Sequence, residues 1–199
     1  MKNRKALALT LLLTPLMMSA TPSSAETDNQ FNNLKTEAKG QTKAFATDLK
    51  SVLKQGMKAS GPEGAIALCN TQAPAITSKH NSDEWTITRT SLKVRNPSNK
   101  PDARLEKILN DFEVRKTNGE EVKSMAHAEV IGDTFYFTKA IPTAPVCEKC
   151  HGTNINEKTL SVIDKLYPDD KARGFKAGDI RGAFVLSKKI KGKKITNQK

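Results

Sequence analysis

Residues 122–141 read VKSMAHAEVIGDTFYFTKAI, and this stretch predicts an antiparallel pair of strands. The strands would span 122–131 and 134–141, joined by Gly132 and Asp133, which suit a two-residue hairpin turn. Two further segments rich in β-branched residues predict strands at 85–94 and 180–190. The apolar alternation of the first changes phase near Thr90, which predicts a β-bulge there.

Outside these strands, apolar residues recur at helical spacing. One predicted helix covers about 30–58, with a single apolar face formed by Phe31, Leu34, Ala38, Phe45, Leu49 and Val52. Ser60, Gly61 and Pro62 break the chain, and a second helix begins at Pro62, with a kink expected at Pro74. Shorter helices are predicted at 102–112 and 158–166. Long helices followed by antiparallel strands indicate an α+β fold.

The first predicted helix would be about 40 Å long, which exceeds the width of a small domain. Its continuous apolar face therefore predicts a homodimer formed through this helix. The organisation expected is a signal segment at 1–25, the N-terminal helix at 26–60, a folded domain at 61–190 and a basic tail at 191–199.

Composition sets the limits of these predictions. The chain has 199 residues and 37% hydrophobic content, enough for one folded domain with an extension. Three cysteines are too few for a disulfide framework. The 33 basic residues outnumber the 21 acidic ones, but they are spread along the chain, so a nucleic-acid partner is not expected. The densest basic run, 188–194, is either a solvated tail or a docking segment for an acidic partner or anionic lipid.

The N-terminus has the layout of a secretory signal. Lys2, Arg4 and Lys5 precede a short apolar run over 6–18, and small residues end at Ala25, the expected cleavage site. The apolar run is too short to cross a bilayer comfortably, although a retained anchor is the alternative. Cleavage after Ala25 would lower the net charge from +12 to +9 and place the mature protein in the periplasm, without a membrane span.

The motif with the clearest chemistry is CEKCH at 147–151. Cys147 and Cys150, three residues apart, would project from the same side of one helical turn, where both sulfurs can reach the vinyl groups of one haem. His151 would then offer a ring nitrogen to the iron. After an export signal, this spacing predicts one covalently attached haem c per chain.

Two other readings of the motif remain. A redox-active dithiol usually lies where a strand leads into the helix of a βαβ unit, whereas here Pro145 follows a hairpin. A zinc site needs four ligands, and the sequence has no second CxxC or HxxxH pair.

Cys69 is left without a partner in the motif. It would be a buried apolar thiol, half of an intermolecular disulfide, or the second axial ligand of the iron. Rival ligands are Met125 and His127, which share one face of the predicted hairpin, and His80, which lies in a polar stretch and is expected to be exposed.

Several stretches together resemble a known family. They are 65–70 (AIALCN) with 73–76 (APAI), 89–97 (RTSLKVRNP), 145–152 (PVCEKCHG) and 178–183 (GDIRGA). In this order they resemble the exported single-haem c-type proteins with a PAS-like fold, first described in cyanobacteria and widespread in proteobacteria. The resemblance covers about 30–190.

The resemblance implies a PAS-like antiparallel sheet with long N-terminal helices, and a haem iron ligated by His151 and Cys69. Arg89, Lys93 and Arg95 are suited to pairing with the haem propionates, or else are ordinary surface charges. With both axial positions filled, we expect a low-potential electron carrier or redox-responsive protein rather than an enzyme, working with a separate, unidentified redox partner. The alternative functions are a haem-based redox or gas sensor and a non-haem dithiol protein.

Overall fold

The structure is a computed structural model that describes residues 24–190. The predicted signal segment, apart from Ser24 and Ala25, and the predicted tail at 191–199 lie outside this range. No helix within the described range is both long and apolar enough to cross a bilayer.

The strands are β1 (Trp85–Thr90), β2 (Ala126–Ile131), β3 (Thr134–Pro142) and β4 (Ile180–Lys189). They form one antiparallel sheet in the order β1-β4-β3-β2. The helices are α1 (Ser24–His80), α2 (Ala103–Thr117), α3 (Glu148–His151) and α4 (Glu157–Leu166). The predicted α+β class is therefore confirmed.

Helix α1 consists of two arms, which we call the first arm (24–59) and the second arm (62–80). They meet at Ser60 and Gly61, whose backbone angles are not helical, and Gly61 has a φ of 65°. The break lies where the sequence predicts it. Pro74, at which the sequence predicts a kink, keeps helical dihedral angles, and α1 continues to His80.

The two arms touch at small residues. Gly56 is buried, and a Cβ added to it would lie 2.5 Å from the Cα of Ala65. A residue with a side chain at position 56 would have to push the arms apart. The glycine that weakens the first arm as a helix is therefore what permits the second arm to fold back beside it.

The first arm packs on one face of the sheet. We call this region the aromatic core; its buried members are Phe31, Leu34, Ala38, Phe45, Trp85, Ile87, Val130, Phe135, Phe137 and Leu186. The apolar face of the predicted helix is thus covered by the chain's own sheet. The observation that motivated a homodimer has an intramolecular explanation, and dimerisation stays a prediction.

Helix α2 covers the opposite face. Its buried residues Ile108, Leu109 and Phe112 pack with a set from the sheet and its approaches, namely Val122, Met125, Ala140, Ile180 and Ala183. Asp102 caps the helix by accepting a hydrogen bond from the backbone N–H of Leu105 at 2.7 Å. The sheet therefore lies between two helical layers.

The strand boundaries correct two sequence predictions. The hairpin turn at Gly132 and Asp133 is confirmed, but β2 begins at Ala126 rather than 122. The predicted strand 85–94 ends at Thr90, and the bulge expected there is wrong, because the register irregularity lies at Ile141 and Pro142 instead. After Thr90 the chain leaves the sheet, and the Ser91 hydroxyl donates to backbone oxygens of Lys93 and Arg181. That departure explains the change of phase.

Candidate functional site

The CxxCH motif forms a short helical segment after β3. A single 3-10 turn, Pro145–Cys147, leads directly into α3, so Cys147 lies at the end of the 3-10 turn and Cys150 lies three residues later in α3. The backbone N–H of Ala144 donates to the sulfur of Cys147 at 3.4 Å. Both cysteines are free and partly buried. The backbone of the motif is therefore helical, as the sequence predicts.

The ring of His151 is held at its Nδ1 side. Nδ1 donates to the backbone oxygen of Ala172 at 2.8 Å, and the ring meets Phe175 edge to face, with centroids 6.4 Å apart. Burial and the charges of Arg181 and Arg95 lower the pKa of His151 to about 3. The imidazole is therefore neutral, and a proton on Nδ1 leaves the lone pair on Nε2, which has no hydrogen-bond partner among residues 24–190.

The second arm brings Cys69 into the same region. Burial raises the pKa of the Cys69 thiol, while the charges of Arg89 and Arg95 act to lower it. Cys69 also contributes to the raised pKa of Cys150, for which burial is the main cause. The three cysteines of the chain thus surround one site, although 78 positions separate Cys69 from Cys147 in the sequence.

Helix α4 fixes the second arm. The Thr159 hydroxyl of α4 donates to the Glu63 carboxylate at the start of the second arm, at 2.5 Å. This bond lowers the pKa of Glu63. Because α4 follows the CxxCH segment closely in the chain, this contact ties the arm that carries Cys69 to the helix that follows His151.

Arg95 holds the motif in place. Its guanidinium donates to the backbone oxygen of Cys150 at 2.6 Å and to the fully buried carboxylate of Asp170 at 3.1 Å. Burial raises the pKa of Asp170, but hydrogen bonds from Arg95 and Arg173 outweigh it, so the pKa lies below its ordinary value. Arg95, predicted as a propionate partner, therefore already has an acidic partner within the protein.

The other two predicted basic residues differ in their surroundings. Lys93 is exposed, and its ammonium lies 5.3 Å from the centre of the Phe175 ring. Arg89, at the end of β1, is half-buried beside Cys69 and Tyr167, and burial lowers the pKa of its guanidinium. Of these two, Arg89 acts electrostatically on Cys69.

Arg181 is a site residue that the sequence analysis did not single out. Its Nη1 donates to the Ser91 hydroxyl and to the backbone oxygen of Lys93, both at 3.3 Å, and its guanidinium lies 5.1 Å from the centre of the Phe175 ring. Burial and the charge of Arg95 lower its pKa to about 10. The available signal was its position inside the recognisable stretch 178–183.

The rival ligands lie in other surroundings. His80 bonds to Asp48 at 2.9 Å and its side chain is only 12% exposed, so the expectation of an exposed residue is wrong. Met125 is buried in the core beneath α2, and Nε2 of His127 lies 3.5 Å from Glu129. Arg95 acts electrostatically on both His151 and Cys69, so Cys69 is the candidate that shares the surroundings of His151.

The alternative chemistries have less support. Within residues 24–190, no group of three or more His, Cys, Asp or Glu side chains is arranged to hold a metal ion, whereas zinc needs four ligands. Burial raises the pKa of Cys150, which is the opposite of the lowered thiol pKa that a reactive dithiol requires. A neutral histidine with a free Nε2 beside two aligned thiols fits a c-type haem better.

The chain can now be placed among known proteins. A twisted antiparallel sheet with a long N-terminal helix and a site at one end of the sheet defines a PAS-like α+β domain. The sequence model of the Tll0287-like family matches residues 24–188, and the chain belongs to that family.

A solved structure has the same fold. It is described as the crystal structure of the cyanobacterial haem-protein Tll0287, with a TM-score of 0.58 and 20% sequence identity. The match covers 79% of this chain and 95% of the other. No curated protein matches the chain.

Proposed function

We propose that this chain is an exported protein that carries one covalently bound haem c and acts in low-potential electron transfer or redox response in the periplasm. Cys147 and Cys150 would hold the porphyrin, and His151 and Cys69 would be the axial ligands. The observation that carries the proposal is His151, a neutral imidazole with an anchored Nδ1 and a free Nε2, one residue after the second thiol of a helical CxxC. Family membership and a haem protein of the same fold add support.

Different residues of the site would attach the haem and hold the attaching residues in position. Each motif thiol would add across one vinyl group, its sulfur bonding to one carbon and its hydrogen going to the other, so no external oxidant is needed. The Ala172 carbonyl fixes the orientation of His151 by accepting from Nδ1. Arg95 and Asp170 fix the Cys150 backbone and hence the position of the second thiol.

When bound, the haem supplies one-electron redox chemistry. Ligation by the anionic sulfur of Cys69 would favour the ferric state and lower the reduction potential, whereas a neutral thioether would raise it. With His151 and Cys69 both bound, the iron would have no coordination site left for oxygen or peroxide. We therefore propose a carrier rather than an enzyme, with a separate protein as its redox partner.

Covalent attachment is the decisive test. Protein purified from the periplasm and denatured in acid should retain its haem on a gel, and Cys147→Ala with Cys150→Ala should abolish that retention. Cys69→Ala is the matched control, because it removes a thiol from the same site but neither thioether. Haem that acidified organic solvent extracts from the wild-type protein would contradict the proposal. The N-terminal sequence of the purified protein, expected to begin at Glu26, tests export.

A redox sensor is the second candidate. The observation that favours it is the break at Ser60 and Gly61, which allows the second arm to move relative to the first when the Cys69 bond is lost. Hydrogen exchange should then accelerate in 62–80 on reduction, while 26–59 remains protected. Equal protection of both arms in the oxidised and reduced protein would leave the carrier as the function.

A further inference from the structure

Two arginines at the site lack a carboxylate partner. Six arginines fall within residues 24–190. Four of them form ion pairs, and these are Arg95, Arg104, Arg115 and Arg173. Arg89 and Arg181 have no carboxylate within ion-pair distance among the described residues. Both lie at the candidate site, where their charges act on Cys69 and His151 respectively.

These two charges are also poorly solvated. Burial lowers the pKa of Arg89 and, with the charge of Arg95, lowers that of Arg181 to about 10. The Nε atom of Arg181 is buried and has no hydrogen-bond partner in the described part of the chain. A buried donor without an acceptor and a buried cation without an anion both destabilise a protein. The neutral oxygens of Ser91 and Lys93 fix the Arg181 guanidinium but do not compensate its charge.

The nearest acid cannot supply the missing charge. Asp170 acts on Arg181 electrostatically, yet its two oxygens already accept from Arg95, from Arg173 and from the backbone N–H of Ala172. One carboxylate thus serves two other arginines. No carboxylate of residues 24–190 is therefore left to pair with Arg89 or Arg181, and a ligand that carries carboxylates would supply the partners.

We propose that Arg89 and Arg181 bind the two propionate carboxylates of the haem, one each. This inference rests on the proposed function and specifies which residues recognise the acidic edge of the cofactor. It replaces the assignment of Lys93 and Arg95 from the sequence, because Lys93 is exposed and Arg95 already pairs with Asp170. Guanidinium groups suit the task, since they bind carboxylates through two parallel hydrogen bonds.

The test separates recognition of the carboxylates from binding of the ring and iron. Cys147→Ala with Cys150→Ala in the full mature chain makes haem binding reversible. Ferric haem and its dimethyl ester, which lacks both negative charges, are then titrated into this variant. Haem should bind more tightly than the ester by a factor on the order of ten to a hundred, as expected for charge-assisted hydrogen bonds.

Single substitutions then assign that preference. Arg89→Gln and Arg181→Gln should each weaken haem binding about tenfold and leave ester binding unchanged. Arg181→Lys should restore part of the loss. Arg104→Gln is the control, because that arginine pairs with Glu129 away from the site and its loss should not change the ratio. Equal affinities for haem and ester, or a ratio unaffected by both site substitutions, would overturn the inference.

A second measurement uses the covalent holoprotein and needs no reversible binding. Resonance Raman spectra should show a shifted propionate bending band in Arg89→Gln and in Arg181→Gln, and an unchanged band in Arg104→Gln. Unshifted bands in both site variants would contradict the assignment while leaving covalent haem intact. A wild-type protein without covalent haem would instead refute the proposed function itself.

Discussion

Strand β1 begins in one kind of environment and ends in another. Trp85 and Ile87 point to the face covered by the first arm of α1 and are buried in the aromatic core. Arg89 is the next residue on that face, and it lies beneath the second arm, beside Cys69. The six residues of β1 thus run from an apolar core to a charged site. The core is covered by the first arm of α1 and the site by the second arm.

The aromatic core and the candidate site differ in whether their side chains find partners within the protein. Within the aromatic core every large side chain meets another, as in the edge-to-face contacts of Phe135 with Phe31 at 5.6 Å and with Trp85 at 6.2 Å. At the site, neither Arg89 nor Arg181 has a carboxylate within ion-pair distance among residues 24–190. The core stabilises the fold by itself, whereas we propose that the site is completed by a ligand. Substitutions should therefore separate stability from binding.

The largest loss of stability is expected from Phe45→Ala. Phe45 is fully buried and packs edge to face on Phe184 and His80, with centroids 5.6 and 5.4 Å away. Its truncation should lower the free energy of unfolding by about 3–5 kcal/mol, measured by urea denaturation. Thr47→Ala, on the exposed side of the same arm, should change it by less than about 1 kcal/mol. Similar losses in both variants would mean that the first arm is not packed as described.

Asp170→Asn should have the next largest effect, because it leaves Arg95 and Arg173 beside a neutral amide. The expected loss is on the order of 3 kcal/mol at neutral pH. The folded pKa of Asp170 is below the ordinary value of about 3.9, so the stability it contributes is present above pH 4 and is lost as pH falls through the folded pKa. Denaturation between pH 3 and 7 should show less acid dependence in the variant; parallel curves would argue against the ion pair.

The contact between the arms gives a matched pair of glycine substitutions. Gly56→Ala places a Cβ 2.5 Å from the Ala65 backbone and should lower the free energy of unfolding by about 1–3 kcal/mol. Gly40→Ala, in the same arm, meets nothing within 4 Å and should raise it by up to about 1 kcal/mol, because alanine is the better helix former. Thermal unfolding of both variants checks the signs, and a stabilising Gly56→Ala would contradict the close approach.

The smallest effect on stability is expected at Cys69, where the effect on the site should be largest. Cys69→Ala should cost less than about 1 kcal/mol, since the residue is only partly buried. The ferric spectrum should lose its sulfur signature, the reduction potential should rise, and cyanide or imidazole should bind. A variant that keeps the wild-type ferric spectrum would exclude Cys69 as the ligand.

The sequence predicted elements whose pattern is local. Helical spacing of apolar residues, the break at Ser60 and Gly61, and the hairpin turn all depend on near neighbours in the chain, and the structure confirms each. The end of β1 was harder to predict. The hydroxyl of Ser91, the residue after the strand, bonds to the backbone of Arg181, which lies 90 positions further along the chain. Strand propensity is a local property of the sequence and does not predict a partner so far away.

The site was predictable only in part, for the same reason. Cys147, Cys150 and His151 form a motif that is visible in the sequence. Whether an arginine is available to bind an acidic ligand depends instead on whether a carboxylate lies near it in the folded chain. The sequence does not distinguish Arg95 from Arg181. Only the fold shows that Asp170 forms an ion pair with Arg95 and not with Arg181.

The break in α1 has a consequence for the order of assembly. The aromatic core draws on the first arm and the sheet, and the second arm reaches it near its end, where Ile76 packs against the core and His80 contacts Phe45. The break at Ser60 and Gly61 lies at the opposite end of the second arm from these contacts. Under the proposed function, an enzyme that attaches haem to Cys147 and Cys150 would need only local opening of this arm, and Cys69 would reach the iron after the porphyrin is anchored.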